Sequence, residues 1–336
     1  MSRRRLRLAI VGAGRITFES HLPSALASPN VELVALVDPV VSRCEALSRA
    51  YGIRPLTVAR VEDVLDRIDG AIIATPNGTH RDIAVACLDA GVATLVEKPL
   101  ATSYSDGLDI VDAGNRSGRA LAVGYSTRFR ANVLGLKELL ESQRFGAVSR
   151  FVYQFGTNGG WAPLSAYNLS RRTAGGGVLV VTGTHFLDRM LSFWGYPDEV
   201  EYQDDARGGL ESNCVAAFRY RRSSLQFQGV ARLSKTVDLP KGLVIETTQG
   251  TLRVADRDDA QIIFRPRDSQ VWEYALRRQA TNIHFEQVAT SLLQLEDFVE
   301  ACFAGRQPRV DGRQGLLSLR LIEEMYSHRQ PLPYLP

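Results

Sequence analysis

Over roughly the first 123 residues, short apolar runs alternate with amphipathic stretches, and this alternation limits the possible folds more than any other feature of the chain. The runs LRLAIVGAG, VELVALVD, GAIIATPN, ATLVEKP and ALAVGY are rich in Val, Ile, Leu and Ala, as strands covered on both faces are. Between them lie stretches such as VSRCEALSRAYG and HRDIAVACLDAG, the second closing on a glycine of the kind that stops a helix. Strand and helix in alternation need crossover connections, and a series of these builds a parallel, doubly wound sheet.

Beyond residue 124 the pattern changes. VSRFVYQFG, NCVAAFRY, SLQFQGVARL, GLVIETTQG, TLRVAD and AQIIFR follow one another across short polar turns, which predicts an antiparallel sheet with a hairpin turning at Gln249-Gly250. Helical patterns flank it, NVLGLKELLESQ before and FEQVATSLLQLEDFVEACFAG and GLLSLRLIEEMYSH after. The expected fold class is α/β: a nucleotide-binding doubly wound domain in residues 1–123 joined to an α+β domain in residues 124–336.

The 336 residues, 45% hydrophobic and 23% charged, have the make-up of two ordinary soluble domains. A net charge of +3 from 40 basic and 37 acidic side chains is too small to call for a polyanionic partner. The local clusters Arg3 to Arg5, Arg219 with Arg221 and Arg222, and Arg277 with Arg278 lack interleaved aromatics and read as solvated surface. Cys44, Cys87, Cys214 and Cys302 have no paired spacing, so reduced, buried thiols are expected, with neither a disulfide frame nor a metal site. The opening MSRRRLRLAIVGAG has a charged start, but its apolar run LAIV is shorter than that of an export signal. No segment reaches the ~20 apolar residues that span a bilayer. The expectation is a cytoplasmic protein without membrane or nucleic-acid partners.

AIVGAGRIT sets Gly12 and Gly14 directly after the first strand and at the start of a helix. Backbone N–H groups at such a turn face a pyrophosphate, and glycine lets the backbone approach it; Arg15 and Ile16 open the helix and join this cofactor-binding set. Thr17 occupies the third position of the GxGxxG pattern, so the helix is expected to stand farther from the strand. A plain strand-to-helix turn would use the same residues. Asp38 ends VELVALVD, 21 residues after Thr17, close to the ~20 at which an acid meets the adenosine ribose. Its carboxylate would accept from both ribose hydroxyls and repel a 2′-phosphate, which favours NAD over NADP. Arg43, in the next helix, would lie over the adenine or attract a phosphate. Asp38 before Pro39 also fits an ordinary turn.

Ligands of open parallel sheets bind beyond the carboxyl ends of the strands. Two polar clusters lie on that edge, ATPNGTH at residues 74–80 and Glu97-Lys98-Pro99. Thr75, Pro76 and Asn77 would line the middle of the cofactor, and Lys98, beside Glu97, would project toward the nicotinamide. An ammonium offers three donors and yields a proton when burial and a positive ring lower its pKa, as a group binding a carbinol oxygen must. A surface Glu97–Lys98 ion pair is the competing reading.

These blocks resemble a known family. VGAGRIT, VDP, ATPNGTH, VEKPLA, GYSTRF, FGAV, GGGVLVVTGTHFLD and LQLEDFVEACFAGRQPRVDGRQGLLSLRLIEEMY are similar, in order and spacing, to those of the glucose-fructose oxidoreductase / inositol dehydrogenase / MocA family. The resemblance covers nearly the whole chain and implies NAD(P)-dependent oxidation of sugars, cyclitols or their derivatives. It also implies a Rossmann domain plus an open-faced, mainly antiparallel sheet that serves oligomerisation, giving a homodimer or homotetramer. By position, Lys98 resembles the family lysine that contacts the substrate hydroxyl and the nicotinamide ribose, and His185 its catalytic acid/base at the end of D-x-G-x-H. Tyr125 and Arg128 in GYSTRF correspond to a segment lining the nicotinamide and substrate cleft. His80 matches a recurrent histidine after the cofactor loop, for which helix capping stands beside catalysis, and it is placed with the cofactor-binding residues. Val181 departs from the pattern, because the family usually has aspartate two residues before Gly183.

NGGWAPLSAYNLSRRTAGGG supplies Trp161, Tyr167, Asn168, Arg171 and Arg172, and Thr184 precedes His185. Aromatic faces stack on sugar C–H surfaces and an arginine fork holds a phosphate or carboxylate, so an acidic or nucleotide-linked sugar fits; a subunit interface uses the same residue types. The triple glycine at 175–177 would let the backbone pass close to a ligand. The expected reaction is hydride transfer between nicotinamide and a secondary alcohol. The alternatives are transient NAD oxidation in the service of elimination or glycoside cleavage, and a non-catalytic NAD(P)-binding regulator.

Overall fold

The structure, a computed structural model, describes residues 4–162, 164–222, 225–257, 261–276 and 286–333. Arg3, Arg277 and Arg278 lie outside the described residues. The strands are β1 (Leu6–Val11), β2 (Val31–Val37), β3 (Leu56–Val58), β4 (Gly70–Ile73), β5 (Ala93–Val96), β6 (Leu121–Val123), β7 (Val148–Gly156), β8 (Glu199–Asp204), β9 (Asn213–Arg222), β10 (Leu225–Ser234), β11 (Leu239–Thr247), β12 (Gly250–Ala255), β13 (Ile262–Pro266), β14 (Tyr274–Leu276) and β15 (Arg329–Pro331). The helices are α1 (Leu22–Ala27), α2 (Val41–Tyr51), α3 (His80–Asp89), α4 (Tyr104–Ser117), α5 (Ala131–Glu141), α6 (Arg171–Ala174), α7 (Thr184–Trp194), α8 (Glu286–Ala304) and α9 (Gly312–Ser327). The chain divides into two compact units, Met1–Phe129 with Ile283–Leu319 and Arg130–Asn282 with Arg320–Pro336.

The first unit holds six parallel strands in the order β3-β2-β1-β4-β5-β6. Strand order reverses between β1 and β4, the position at which doubly wound sheets open a crevice at their carboxyl edge. Strands β4 and β5 are buried at every position, and the lone polar side chain in them, Thr94, donates its hydroxyl to Val92 O at 3.1 Å. Helix α2 stops at Gly52, whose φ of 64° is open to glycine at little cost. Ser103 caps α4 by accepting from Asp106 N at 3.1 Å.

Helix α8 belongs to this unit, whereas the sequence reading grouped residues 286–304 with the second domain. Its Leu295, Phe298, Val299 and Ala301 share one buried cluster with Leu6, Leu8 and Ile10 of β1. An amphipathic helix records that it covers something apolar, not which sheet it covers, so its partner was not legible from periodicity.

The second unit holds nine strands in the order β14-β13-β12-β11-β7-β10-β9-β8-β15. The sheet is mainly antiparallel; β7 with β10 and β8 with β15 pair in parallel. The β11–β12 hairpin sets Glu246 opposite Thr251 and turns through Thr248-Gln249, one residue earlier than the sequence indicated. Helix α7 lays Phe186, Leu187, Met190 and Trp194 into a cluster with Phe151, Tyr153 and Phe218 of the sheet. Phe151 stacks on Trp194 with ring centroids 4.7 Å apart, and Tyr153 on Phe186 at 4.0 Å. Side chains alternate along strands, so Val152 points away from this core. In register it forms a row with Val244, Val230 and Ala217, flanked by Glu246, Arg150, Gln228 and Arg219.

Arg219 pairs with Glu199 and Glu201, Arg221 with Glu199 and Arg222 with Asp198, so acids on and before β8 balance this basic cluster. The four cysteines are thiols, and burial pushes Cys44 up to about 11 and Cys87 and Cys302 up to about 12, which keeps them protonated. Among the described residues no helix is long and apolar enough to cross a membrane.

Phe298→Ala removes a ring with 0% exposure from the α8–β1 cluster and is expected to cost about 3–5 kcal/mol. The urea unfolding midpoint of the variant measures this; a change within ~0.5 kcal/mol would mean that α8 is not part of the core.

Candidate active site

Gly12 directly follows the first strand with a φ of 101°, and a Cβ there would lie 2.4 Å from Ala74 O and 3.1 Å from Thr75 N. The end of β1 is thus pressed against the end of β4, which only glycine permits. At Gly14 a Cβ would meet nothing within 4 Å, so that backbone is open to a ligand. Residues Thr17–His21 form a π-helical turn that runs into α1, and the Thr17 hydroxyl donates to Gly12 O at 2.6 Å. The threonine in the third pattern position is therefore buried and satisfied, closing the turn on itself. Helical bonding starts with Phe18 N to Gly14 O at 3.1 Å, so the amides of Arg15 and Ile16 precede the ladder, as first-turn amides do. Their side chains are used elsewhere: Arg15 pairs with Glu19 at 2.6 Å and Ile16 packs against the core.

Asp38, buried at the end of β2, accepts from Ala13 N and from Val40 N, each at 2.9 Å. One carboxylate oxygen therefore holds the glycine turn in place. An ionised carboxylate has about four acceptor positions, so the pair of backbone bonds leaves room for ribose hydroxyls. The exposed Arg43 guanidinium lies 3.9 Å from the same carboxylate. An open Gly14 beside a buried acid fits the adenosine half of a dinucleotide.

After β4, Thr79 Oγ1 lies 2.8 Å from both Pro76 O, to which it donates, and the Thr75 hydroxyl; Asn77 is buried and Pro76 exposed. His80 is enclosed, with Nδ1 3.0 Å from Pro99 O and Nε2 2.9 Å from Thr75 O. Its ring is wedged between the loop after β4 and the loop after β5; burial holds its pKa below the ordinary histidine value, and the neutral ring donates to one of the two carbonyls. After β5, Glu97 Oε2 accepts from Lys98 N at 3.0 Å while Oε1 lies 2.9 Å from Nε2 of His21. Burial lowers the Lys98 pKa, and the Glu97 charge opposes that fall. Burial pushes Glu97 the other way, but the His21 hydrogen bond, the His21 charge and Lys98 outweigh it and keep the carboxyl below its usual range. Both Glu97 and Lys98 are part-buried and do not stand on the open surface. Tyr125 lies fully buried in the core with Leu100 and Val96, and Arg128 donates to Gln314 Oε1 at 3.0 Å.

In the second unit, a π-helical turn Leu179–Gly183 runs into α7 and carries Val181; His185, part-exposed, comes next on α7 after the buried Thr184. The triple glycine before it has a cause other than ligand approach. A Cβ on Gly176 would lie 2.1 Å from the Tyr326 hydroxyl and one on Gly177 2.1 Å from Glu211 O. Glu211 Oε1 accepts from Gly177 N, Leu179 N and the Tyr326 hydroxyl at 2.9, 3.1 and 2.7 Å, capping the start of the helical segment. One turn past His185, Arg189 donates Nε to His185 O at 3.2 Å and grips Asp256 through both terminal nitrogens. Arg130 and the Tyr153 hydroxyl complete the donors to Asp256, whose carboxyl burial would raise but whose arginines hold well below the usual range.

Trp161 donates Nε1 to Ser212 Oγ at 2.9 Å under Lys235, Asn168 is buried, and Tyr167, Arg171 and Arg172 are exposed, with Arg171 over the Tyr326 ring. Sequence reasoning missed His21, Glu211, Arg189 and Asp256. No spacing rule marks them, because each is defined by a partner distant in the chain.

Gly12→Ala is expected to cost about 1–3 kcal/mol through its φ and the Ala74 clash, whereas Gly14→Ala should leave the thermal midpoint unchanged and weaken NAD binding about tenfold or more. Calorimetric unfolding and NAD titration of both variants separate the two roles; unimpaired NAD binding by Gly14→Ala would remove the cofactor from this turn.

The family model described as oxidoreductase family, NAD-binding Rossmann fold, matches residues 6–125, and that described as oxidoreductase family, C-terminal alpha/beta domain, matches residues 137–331. A D-xylose 1-dehydrogenase (NADP(+)) of Haloferax volcanii is 26% identical over 96% of each chain. The D-glucoside 3-dehydrogenase of Escherichia coli is 27% identical over 57% of this chain and 55% of its own, and the chain spans about half the length of several curated relatives. The solved aldose-aldose oxidoreductase from Caulobacter crescentus, complexed with glycerol, superposes with a TM-score of 0.84 over 97% of each chain at 22% identity. With both of its domains matched, the chain belongs to the glucose-fructose oxidoreductase / inositol dehydrogenase / MocA family of oxidoreductases, its first domain being the family's NAD-binding Rossmann fold.

Proposed function

We propose that the protein is a nicotinamide-dependent dehydrogenase interconverting a secondary carbinol of a sugar, cyclitol or nucleotide-linked sugar with its ketone. The observation that carries this reading is Lys98, a half-buried amine at the carboxyl end of β5 whose pKa burial lowers. The backbones of Gly12, Gly14, Arg15 and Ile16, the Asp38 carboxylate, and Thr75, Pro76 and Asn77 would hold the cofactor, with Asp38 supporting NAD. The Haloferax relative carries NADP(+) in its name, so both dinucleotides belong in the assay. A bound nicotinamide supplies the hydride acceptor. Lys98, as a neutral amine, accepts the carbinol proton as the carbon loses its hydride, and as an ammonium it returns that proton in the reverse direction. His185 is the second acid–base group of the proposal. The names of the two dehydrogenase relatives, a glucoside and an aldose oxidiser, support a sugar substrate.

Val181 favours a second reading. A valine in the place of the family aspartate can carry no proton, which suits an NAD-binding regulator without turnover. A panel of sugars, inositols and nucleotide sugars, followed by absorbance of the reduced cofactor with NAD and NADP in parallel, separates the two. Turnover supports the dehydrogenase; tight cofactor binding with no turnover anywhere on the panel supports the regulator. In the active case Lys98→Met should lower kcat by about 10²–10⁴ with NAD binding retained. Oxidation should accelerate as pH rises through the lowered Lys98 pKa, because only the deprotonated amine accepts a proton, and that limb should vanish in Lys98→Met.

We extend the proposal to assembly. The row Val244, Val152, Val230 and Ala217, flanked by charged and amide side chains of both signs, supports pairing of two copies through this sheet face. Val152→Arg with Val230→Arg is expected to halve the mass measured by sedimentation; an unchanged mass would place the interface elsewhere.

A further inference from the structure

His21 lies far from Lys98 in sequence and has no place in the nucleotide-binding pattern, yet it is almost wholly buried and its ring reaches the residue next to that lysine. It ends the π-helical turn that begins at Thr17, the same Thr17 that closes the glycine turn through Gly12 O. Its Nε2 is 2.9 Å from Glu97 Oε1. An ionised carboxylate only accepts, so Nε2 carries the hydrogen. On its other side the carboxylate abuts Gly124, where a Cβ would come 2.9 Å from the Glu97 carboxyl and 2.8 Å from its Cα. The remaining oxygen takes the Lys98 amide. The carboxylate is therefore clamped by three segments of the first unit: the π-helical turn, the start of the loop after β5 and the residue after β6.

We propose that His21 is a positioning residue for Lys98: by holding Glu97 Oε1 it fixes the carboxylate whose other oxygen takes the Lys98 amide, and so sets the pH at which Lys98 exchanges its proton. The proposal rests on the reading of Lys98 as the acid–base group and extends it to a side chain that the sequence analysis did not single out. Two opposed effects give it force. Burial acts on Lys98 toward the neutral amine, and the Glu97 charge is what opposes it. Burial acts on Glu97 toward the neutral acid, and the His21 hydrogen bond is the foremost opposing influence. Removing His21 would let Glu97 take up a proton more readily, and Lys98 would lose its counter-charge. His80 is a further ionisable group coupled to this corner, since the Glu97 charge also reaches it.

The chain has four lysines, Lys98, Lys137, Lys235 and Lys241, so a lysine-labelled sample gives four side-chain signals, and the one missing from Lys98→Met identifies Lys98. NMR titration of the full chain without cofactor then reads its midpoint directly. In His21→Leu the midpoint is expected to fall, as it should in Glu97→Gln. In His21→Gln, whose amide can still donate to Glu97, it should stay nearer wild type, and the double variant His21→Leu/Glu97→Gln should shift no further than Glu97→Gln alone. A wild-type midpoint in folded His21→Leu, or additive shifts in the double variant, overturns the proposal. If the leucine variant does not fold, His21→Asn, polar but too short to reach Oε1, gives the same comparison. The titration needs no turnover, so full activity in Lys98→Met would sink the dehydrogenase reading while leaving this test standing.

Discussion

The contact between Gly12 and the Ala74 carbonyl joins the ends of β1 and β4, the two strands between which the order of the parallel sheet reverses. A side chain at 12 would drive those ends apart. Because they meet, the turn after β1, the acid after β2 and the loop after β4 all emerge along one edge, and Asp38 can reach back to Ala13 N. The adjoining loop after β5 is spaced from it by His80, whose ring is wedged between Thr75 O and Pro99 O. The binding edge is thus a product of backbone packing, and the functional side chains inherit their positions from it.

Much of this was legible in the sequence because it depends on local rules. Strands buried on both faces must be apolar throughout, so GAII and ATLV could be recognised without a partner; Gly12, Gly14 and Asp38 belong to a strand-turn-helix unit whose geometry has few solutions. What failed to read were relations between distant segments. The three-residue β15 is a strand only because β8 offers it an edge. The allegiance of α8 depends on which apolar sheet its stripe meets. The triple glycine was read as an approach path for a ligand, whereas Gly176 and Gly177 make room for Tyr326 and Glu211. Their local signature, small residues before a helix, is the same in either case.

The two histidines most closely bound up with the proposed chemistry share a structural device. His21 ends one π-helical turn and His185 stands two residues beyond another, each turn leading into an α-helix. A π turn takes an additional residue into the same helical advance and so rotates the downstream side chains about the helix axis, a device often met at functional sites. In the first case the Thr17 hydroxyl secures the turn, and in the second Glu211 caps it. Sequence periodicity assumes 3.6 residues per turn and would assign these side chains to the wrong faces, which is one physical reason that His21 went unnoticed.

Each unit buries a charged cluster, and the difference between them separates anchoring from chemistry. Taking charges out of water costs several kcal/mol per ion, so a buried pair is weak evidence of stabilisation by itself. Asp256 meets this cost by saturation: Arg130, both terminal nitrogens of Arg189 and the Tyr153 hydroxyl fill its acceptor positions, and the carboxyl is held far below its usual range. Such a group has no acceptor position left, and it fixes α7 through Arg189 together with Arg130 and Tyr153. Glu97 is different in kind, since its charge acts on an amine that burial is already moving toward neutrality. Its carboxylate, held by His21, favours the ammonium form of Lys98 while burial favours the neutral amine. In the proposed chemistry the balance between burial and that charge, and not a saturated ion pair, governs how readily the amine exchanges its proton.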